Sequence, residues 1–242
     1  MEIINLASSS AGNCYIIKNE SASIMIEAGL NSRLISARLA KHGLFLSDIS
    51  ACLVTHSHGD HSRCAKELTE RGIIVCASAA TIKACEITQN FKTLAEWQQR
   101  GVVGKYAVLP FPVDHDCEGA LGFIITDGTE LLLFINDTRM VKWNLSQWAF
   151  DHIMIECNHT AERLIENADT QSVRKAQSHM SLDTCKDVLS NLDLTKTQDI
   201  YLMHLSDQNA DAPKMKKEIE MLTGVPTFVC GKNGGTNING IA

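Results

Sequence analysis

The segment Thr55-His56-Ser57-His58-Gly59-Asp60-His61 decides which fold and which chemistry the sequence predicts. It places three histidines and one aspartate within six residues, directly after the apolar run 51–55, which predicts a buried strand ending on His56. Imidazole nitrogens and carboxylate oxygens bind zinc and similar divalent ions. This density of ligands favours a metal site over a polar loop of hydrogen-bonded histidines. We expect Gly59 to relieve backbone crowding between the ligands.

Three further polar residues follow apolar, strand-like runs later in the chain. They are His115 after 109–113, Asp137 after 131–136, and His204 after 200–203. Each alone would be read as a turn residue, but together with the first cluster they supply five histidines and two carboxylates. One tetrahedral ion cannot use so many ligands, so we expect two divalent ions, with Asp137 as the bridge. Zinc is favoured, and manganese or iron would also suit these ligands.

The rest of the chain reads as short strands alternating with helices. A helix is predicted after the cap Asn31 or Ser32, and another after the cap Ser181. The later strands are predicted at 106–111, 121–126, 130–136, 152–156 and 199–204, with 227–230 as the last. Because the sequence has no Pro/Ser-rich linker, low-complexity tract or repeat, we expect residues 1–242 to form a single domain with two sheets inside and helices outside.

Composition excludes several classes of protein. Of the 242 residues, 45% are hydrophobic and 21% charged, which excludes a disordered chain. The net charge of −6 is unlike that of a strongly basic nucleic-acid binder, but bound divalent ions can reverse the local field and admit a phosphate substrate. The apolar runs are strand-sized and residues 1–5 do not resemble a secretion signal. We therefore expect a cytoplasmic protein with no membrane partner.

The sequence also contains nine cysteines and three tryptophans. The cysteine count is odd, no pair has C-x-x-C spacing, and most neighbours are apolar, which predicts buried reduced thiols without a metal role. Packing is the favoured role for Trp97, Trp143 and Trp148, with stacking on a substrate as the alternative.

The motif 56-HSHGDH-61, followed by His115, Asp137 and His204, resembles the metallo-β-lactamase superfamily. This resemblance covers nearly the whole chain and implies an α/β fold, a four-layer αββα sandwich with the metals at one edge between the sheets. It also implies how the ligands divide. One metal would be held by His56, His58 and His115, the other by Asp60, His61 and His204, with Asp137 bridging. One residue departs from the pattern, since Glu27 stands where similar proteins usually carry an aspartate that supports the metal loop.

A narrower likeness points to substrate class. The segments 6-LASSSAGNC-14, 110-PFPVDHD-116, 155-IECNH-159, 178-SHMS-181 and 203-MHLSDQN-209 are similar to the YycJ (WalJ) subgroup, whose members are regarded as nucleases. Their order is also similar to that of tRNase Z. The likeness implies a dinuclear metal-dependent phosphodiesterase that acts on DNA or RNA, in which a metal-bridging hydroxide attacks phosphorus. Asp60 and His179 are the catalytic residues that we infer.

His179 has a separate physical argument. It precedes a helix that begins at Ser181, where free backbone N–H groups favour an anion, so its imidazole could meet a phosphate or protonate a leaving alkoxide. The alternative is a surface histidine in a capping loop. The loop 8–13 leaves two interpretations open in the same way, a phosphate-binding turn or an ordinary hairpin connection.

Two rival functions remain for this sequence. The first is a small-molecule hydrolase of the same fold that acts on a cyclic phosphodiester, thioester or lactone. The second is a non-catalytic binding module, against which the complete ligand set argues. A nuclease should have a basic groove, and a small-molecule enzyme a closed pocket. The residues proposed for such a groove are Arg139, Lys142, Arg163, Arg174 and Lys175.

Overall fold

Two β-sheets packed face to face form the centre of the protein in the computed structural model, which describes residues 1–167 and 178–237. The first sheet has six strands in sequence order: β1 (Glu2–Ala7), β2 (Cys14–Lys18), β3 (Ser23–Ile26), β4 (Ile49–Leu53), β5 (Ile74–Ser78) and β6 (Phe91–Leu94). The second sheet runs in reverse order from β14 to β7, and its strands are β7 (Arg100–Val103), β8 (Tyr106–Pro112), β9 (Leu121–Thr126), β10 (Leu131–Ile135), β11 (His152–Glu156), β12 (Asp199–Met203), β13 (Thr227–Cys230) and β14 (Thr236–Asn237).

Helices pack on the outer faces of both sheets or connect the strands. They are α1 (Ser32–Ala40), α2 (Gly59–Ser62), α3 (Ala65–Glu70), α4 (Ala79–Ala84), α5 (Ala161–Glu166), α6 (Leu182–Ser190) and α7 (Ala212–Thr223), with a 3-10 turn at Leu46–Asp48. Asn31 caps α1 by accepting from the Leu34 N–H, and Ser181 caps α6 by accepting from the Thr184 N–H, as the sequence predicts. No helix in the described ranges is long and apolar enough to cross a membrane.

Three apolar layers hold these elements together. Alternate residues of a strand point to opposite faces, so in β2 Ile16 packs toward the helices while Tyr15 and Ile17 pack toward the second sheet. The middle layer joins the two sheets through side chains such as Phe134, and the third lies between the second sheet and helices α6 and α7. Layers in the order helix, sheet, sheet, helix confirm the predicted αββα sandwich.

The parallel strands decide where the site lies. β3, β4, β5 and β6 are parallel in the first sheet, and β10, β11, β12 and β13 are parallel in the second. Carboxyl ends of parallel strands meet at one edge of a sheet, where ligand sites of α/β folds commonly form. The predicted site residues follow β4, β8, β10 and β12, and Glu156 is the last residue of β11.

The structure corrects the predicted element list in several places, and helix α5 (Ala161–Glu166) is one element that was not predicted. Strands β6 and β7 were not predicted, because each has only one buried residue and so lacks the alternating apolar pattern of a half-buried strand. The strand at 227–230 is not the last, since the two-residue β14 pairs with it in antiparallel fashion. A strand this short gives no periodic signal in the sequence.

Candidate metal centre

Three imidazole nitrogens converge at the edge between the sheets. His58 Nδ1 lies 3.1 Å from His56 Nε2 and 3.2 Å from His115 Nε2. Two nitrogens bound to one tetrahedral zinc ion lie about 3.4 Å apart, so this spacing suits ligands of a common ion. The trio brings together the turn after β4 and the segment after β8.

A second group of ligand atoms lies beside this trio. Asp60 Oδ2 is 3.3 Å from His61 Nε2 and 3.8 Å from His204 Nε2. The imidazole of His204 also contacts Asp137 through Nδ1. Asp60, His61, Asp137 and His204 therefore offer ligand atoms within 4.8 Å of one another.

Asp137 lies between the two groups. Its Oδ2 is 3.0 Å from His61 Nε2, 3.8 Å from His56 Nε2 and 3.9 Å from His115 Nε2. The same oxygen therefore faces nitrogens of both groups, which is the position that a bridging carboxylate needs. The side chain is 4% exposed, so its charge requires cationic partners or metal ions.

Three site residues adopt backbone conformations that side chains seldom take. Glu27, Asp137 and His204 have φ values of 66°, 47° and 54° and follow β3, β10 and β12. Left-handed backbone outside glycine costs free energy and is concentrated at functional sites. In each case the strand is sharply turned at its end, and the side chain is buried at the site.

Close backbone packing fixes the metal-binding turn, at a position that the sequence analysis did not single out. A Cβ on Gly29 would lie 1.7 Å from the Asp60 carbonyl oxygen, so only glycine fits there. That carbonyl accepts hydrogen bonds from the Asn13 backbone and side chain at 2.8 and 3.3 Å. The role predicted for Gly59 is wrong, because a Cβ there would meet no atom within 4 Å.

Electrostatics differ between the two groups. Burial lowers the pKa of His56 and of His115, and neighbouring charged histidines add to this effect. Burial also acts to lower the pKa of His204, but the Asp137 carboxylate outweighs it and raises that pKa to about 10. A ligating imidazole must be neutral. His56 and His115 are thus neutral and ready for a cation, whereas His204 must release a proton first.

His179 contacts a carboxylate outside the predicted ligand set. Its Nδ1 lies 2.6 Å from Oε1 of the fully buried Glu156, and its ring centroid is 5.0 Å from that of His204. Burial acts to lower the pKa of His179, but the Glu156 charge raises it above its ordinary value. Its side chain is 18% exposed, so it is not the surface histidine of the alternative interpretation. The sequence analysis missed Glu156 as a site residue. It is the last residue of β11, a position comparable to those of Asp137 after β10 and His204 after β12.

Divalent ions fit this arrangement. The buried Nε2 of His204 makes no hydrogen bond within the described part of the chain, and it faces the Asp60 carboxylate. A buried polar atom without a partner is costly unless something else satisfies it, as a metal ion would. The donor set of imidazoles and carboxylates is the one that zinc, manganese and iron accept.

Other residues singled out in the sequence have different positions. Ser8 Oγ accepts hydrogen bonds from Tyr15 and from the His204 N–H, so this part of the 8–13 loop supports the site from within. Arg163 pairs with Glu166 on α5. Arg139 and Lys142 both contact Asp114 beside the site, and Arg174 and Lys175 lie outside the described residues.

Known proteins share both the sequence pattern and the fold. The chain is 25% identical over 218 residues to exodeoxyribonuclease WalJ of Streptococcus pneumoniae serotype 2, covering 84% of this chain and 81% of the relative. Exodeoxyribonuclease YycJ of Bacillus anthracis is 25% identical over 216 residues, which cover 84% of this chain and 82% of that relative. Among solved structures, the metallo-beta-lactamase fold protein YhfI from Bacillus subtilis superposes with a TM-score of 0.74 at 14% identity. The superposition covers 97% of this chain and 98% of that one.

The human short-form tRNase Z superposes with a TM-score of 0.62 at 12% identity, covering 86% of this chain and 93% of that one. At such identities these structures show the fold alone. The family model of the metallo-beta-lactamase superfamily matches residues 9–130, which is just over half of the chain and includes the whole 56–61 motif. With this match and these ligand groups at the sheet edge, the chain belongs to the metallo-β-lactamase superfamily and is a metal-dependent hydrolase.

Proposed function

We propose that the protein is a dinuclear metal-dependent phosphodiesterase that cuts DNA. The observation that carries this proposal is the position of Asp137 Oδ2, which faces His61 on one side and His56 and His115 on the other. Two ions held in this way would supply an activated water and neutralise charge on a phosphate. His56, His58 and His115 would hold one ion, Asp60, His61 and His204 the other, and Asp137 both.

His179 is the residue that we assign to the leaving group. Glu156 contacts Nδ1 of His179, so Nε2 of this partly exposed ring is the atom that would approach a substrate oxygen. A positioned imidazole can protonate a departing alkoxide, which is a poor leaving group without a proton. Asp60, whose side chain is 20% exposed, would hold the second ion together with His204, whose Nε2 lies 3.8 Å from Asp60 Oδ2.

Two observations support a nucleic-acid substrate. The two relatives described above are exodeoxyribonucleases that match over more than four fifths of this chain. Arg139 and Lys142, which are 58% and 56% exposed, lie beside Asp114, the residue before His115, and form part of the basic surface that a nuclease needs.

A hydrolysis screen of the purified protein tests the proposal. Zinc-, manganese- and iron-loaded samples would be assayed on single- and double-stranded DNA, RNA, bis-p-nitrophenyl phosphate, a thioester and a lactone. We expect hydrolysis of DNA and of the bis-p-nitrophenyl ester and none of the thioester. Turnover of the thioester or lactone alone would overturn the phosphodiesterase and favour the small-molecule hydrolase.

A further inference from the structure

A cavity of about 510 Å³ opens between the loop 140–146 and helix α6. Both walls continue directly from the candidate metal centre. The loop begins three positions after Asp137, and the helix begins three positions after His179. The chain thus leads from two strand ends at the site into the two walls of the cavity, and none of the lining residues belongs to the ligand groups.

The loop wall is tied to the strand that leads to a metal ligand. Trp143 Nε1 donates a hydrogen bond of 2.8 Å to the Pro112 carbonyl at the end of β8, three positions before His115. Nearer the site, the Arg139 N–H donates to the Asp114 carbonyl at 3.1 Å. These bonds hold the cavity at a fixed distance from the ligand His115, as a substrate pocket requires.

The lining combines a flat aromatic ring, apolar walls and hydrogen-bonding groups. Trp143 is 42% exposed and Met140 41% exposed, and both lie at the cavity where Val141 and Val188 provide apolar walls. Polar atoms come from Asn144, Thr184, Asp187 and Asn191. A nucleobase stacks on aromatic rings and offers donors and acceptors at its edge, so this lining matches its chemistry.

Positive charge lies at the mouth of the cavity. Lys142 lines it, and Lys142 and Arg139 contact the two oxygens of the same carboxylate, Asp114, at 3.2 and 3.0 Å. Asp187 of the same lining carries the opposite charge, so the two cations provide local contacts rather than a net positive surface, in a chain that carries −6 as a whole. A phosphate beside a bound base would contact Lys142 or Arg139.

We propose that the cavity binds one unpaired nucleobase of the strand being cut, with Trp143 as the stacking surface. The proposal rests on the proposed phosphodiesterase function, because it assigns a subsite to that enzyme's substrate. Trp143 also packs edge-on against Trp97, with ring centroids 5.2 Å apart, which holds the ring in place while 42% of the residue stays exposed to a ligand. DNA and RNA share this base chemistry, and the test distinguishes a base from the sugar-phosphate chain alone.

The test compares two fluorescein-labelled phosphorothioate octamers, which resist hydrolysis, by anisotropy with the full-length metal-loaded protein. One is octathymidylate, and the other has the same phosphates but abasic tetrahydrofuran residues. We expect the wild type to bind octathymidylate about 10-fold more tightly, the usual effect of stacking one base. Trp143→Ala should lose most of this preference, and Trp143→Phe should keep it. Both variants lose the hydrogen bond to the Pro112 carbonyl, so the difference between them reports on the aromatic ring. Met221→Ala, which removes a side chain 76% exposed on α7, is the matched control and should bind as the wild type does.

Two results would overturn the proposal: equal binding of both octamers by the wild type, or an unchanged preference in Trp143→Ala. Should Trp143→Ala fail to fold, Val188→Phe, which fills the cavity from α6, should remove the preference in its place.

The same experiments distinguish failure of the phosphodiesterase proposal from failure of the base-site proposal. Base-dependent binding without hydrolysis of any phosphodiester would reject the phosphodiesterase and keep the base site. Hydrolysis of bis-p-nitrophenyl phosphate without base-dependent binding would reject the base site alone.

Discussion

Glu27 Oε1 lies 3.1 Å from His61 Nδ1, at the base of the candidate metal centre. The same oxygen accepts a 2.6 Å hydrogen bond from Thr55 Oγ1, which is in turn 2.9 Å from His56 Nδ1. Because the Thr55 hydroxyl gives its single proton to Glu27, it accepts the Nδ1 proton of His56 and leaves Nε2 of that ring for an ion. One buried carboxylate thus orients a histidine in each ligand group.

The first prediction is that Glu27→Gln weakens metal binding by about 10- to 100-fold while both ions can still occupy the site. The amide lacks the negative charge that attracts the Nδ1 protons, so both imidazoles lose orientation and basicity. Competition with a chromophoric chelator measures the affinity. The exposed Glu70→Gln is the matched control and should bind as the wild type does. A metal-loaded crystal structure with a Glu27 oxygen at ligand distance would refute its supporting role.

The second prediction concerns Asp137. We expect about two ions per wild-type chain by elemental analysis, because seven ligands exceed what one tetrahedral ion uses. Asp137→Ala should lose metal from both positions, since its Oδ2 faces nitrogens of both groups. Asp207→Ala, at an exposed carboxylate that pairs with Lys232, controls for the loss of one acidic residue.

Less than one ion per wild-type chain after supplementation with each metal would reject the dinuclear site. An Asp137→Ala protein that loses one ion and keeps the other tightly would retain the dinuclear site but reject the bridge. Circular dichroism of each variant separates metal loss from unfolding.

How far the sequence predicts this molecule depends on how local the signal is. Patterns of a few neighbouring residues were predictable. They are the strand that ends before His56, the caps Asn31 and Ser181, and the polar residues after β10 and β12. The close approach of Gly29 to the Asp60 carbonyl joins segments about 30 positions apart and gives no local pattern.

The doubt about Glu27 illustrates the same limit. From the sequence, a glutamate one methylene longer than the usual aspartate put the support of the metal loop in question. The structure places its carboxylate against Thr55 and beside His61, and the backbone at Glu27 is left-handed. The longer side chain therefore still reaches both partners, which the residue type alone does not reveal.

The third prediction is that the cysteines contribute nothing to metal binding or catalysis. Seven of the nine are buried, and burial raises the pKa of thiols such as Cys76, which reaches about 11, so they stay protonated at neutral pH. A thiol reagent should therefore titrate at most Cys85 and Cys117 in the native protein. Cys117 Sγ lies 3.3 Å from Ser57 Oγ in the metal-binding turn, so Cys117→Ser is the variant that isolates its effect. Metal release on alkylation of Cys117→Ser without unfolding would contradict the prediction.

The fourth prediction separates a phosphodiesterase from other members of the superfamily through His179. We expect His179→Ala to keep its fold and its metal ions, because the ring lies outside the two groups that we assign to metals. Activity on DNA should fall by roughly 10²–10⁴-fold, the usual contribution of general acid–base catalysis. Steady-state rates on a labelled duplex measure the loss, and His42→Ala, at an exposed histidine, is the matched control.

The leaving group decides between two roles for the same ring. If His179 protonates the departing oxygen, the loss should shrink on bis-p-nitrophenyl phosphate, because p-nitrophenolate leaves without a proton. If His179 only binds phosphate, both substrates should lose activity alike. Glu156→Gln should reproduce the selective loss in weaker form, since it removes the charge 2.6 Å from Nδ1 but leaves the imidazole in place. Full activity of His179→Ala on DNA would remove the residue from the mechanism and leave the small-molecule hydrolase as the better account of the site.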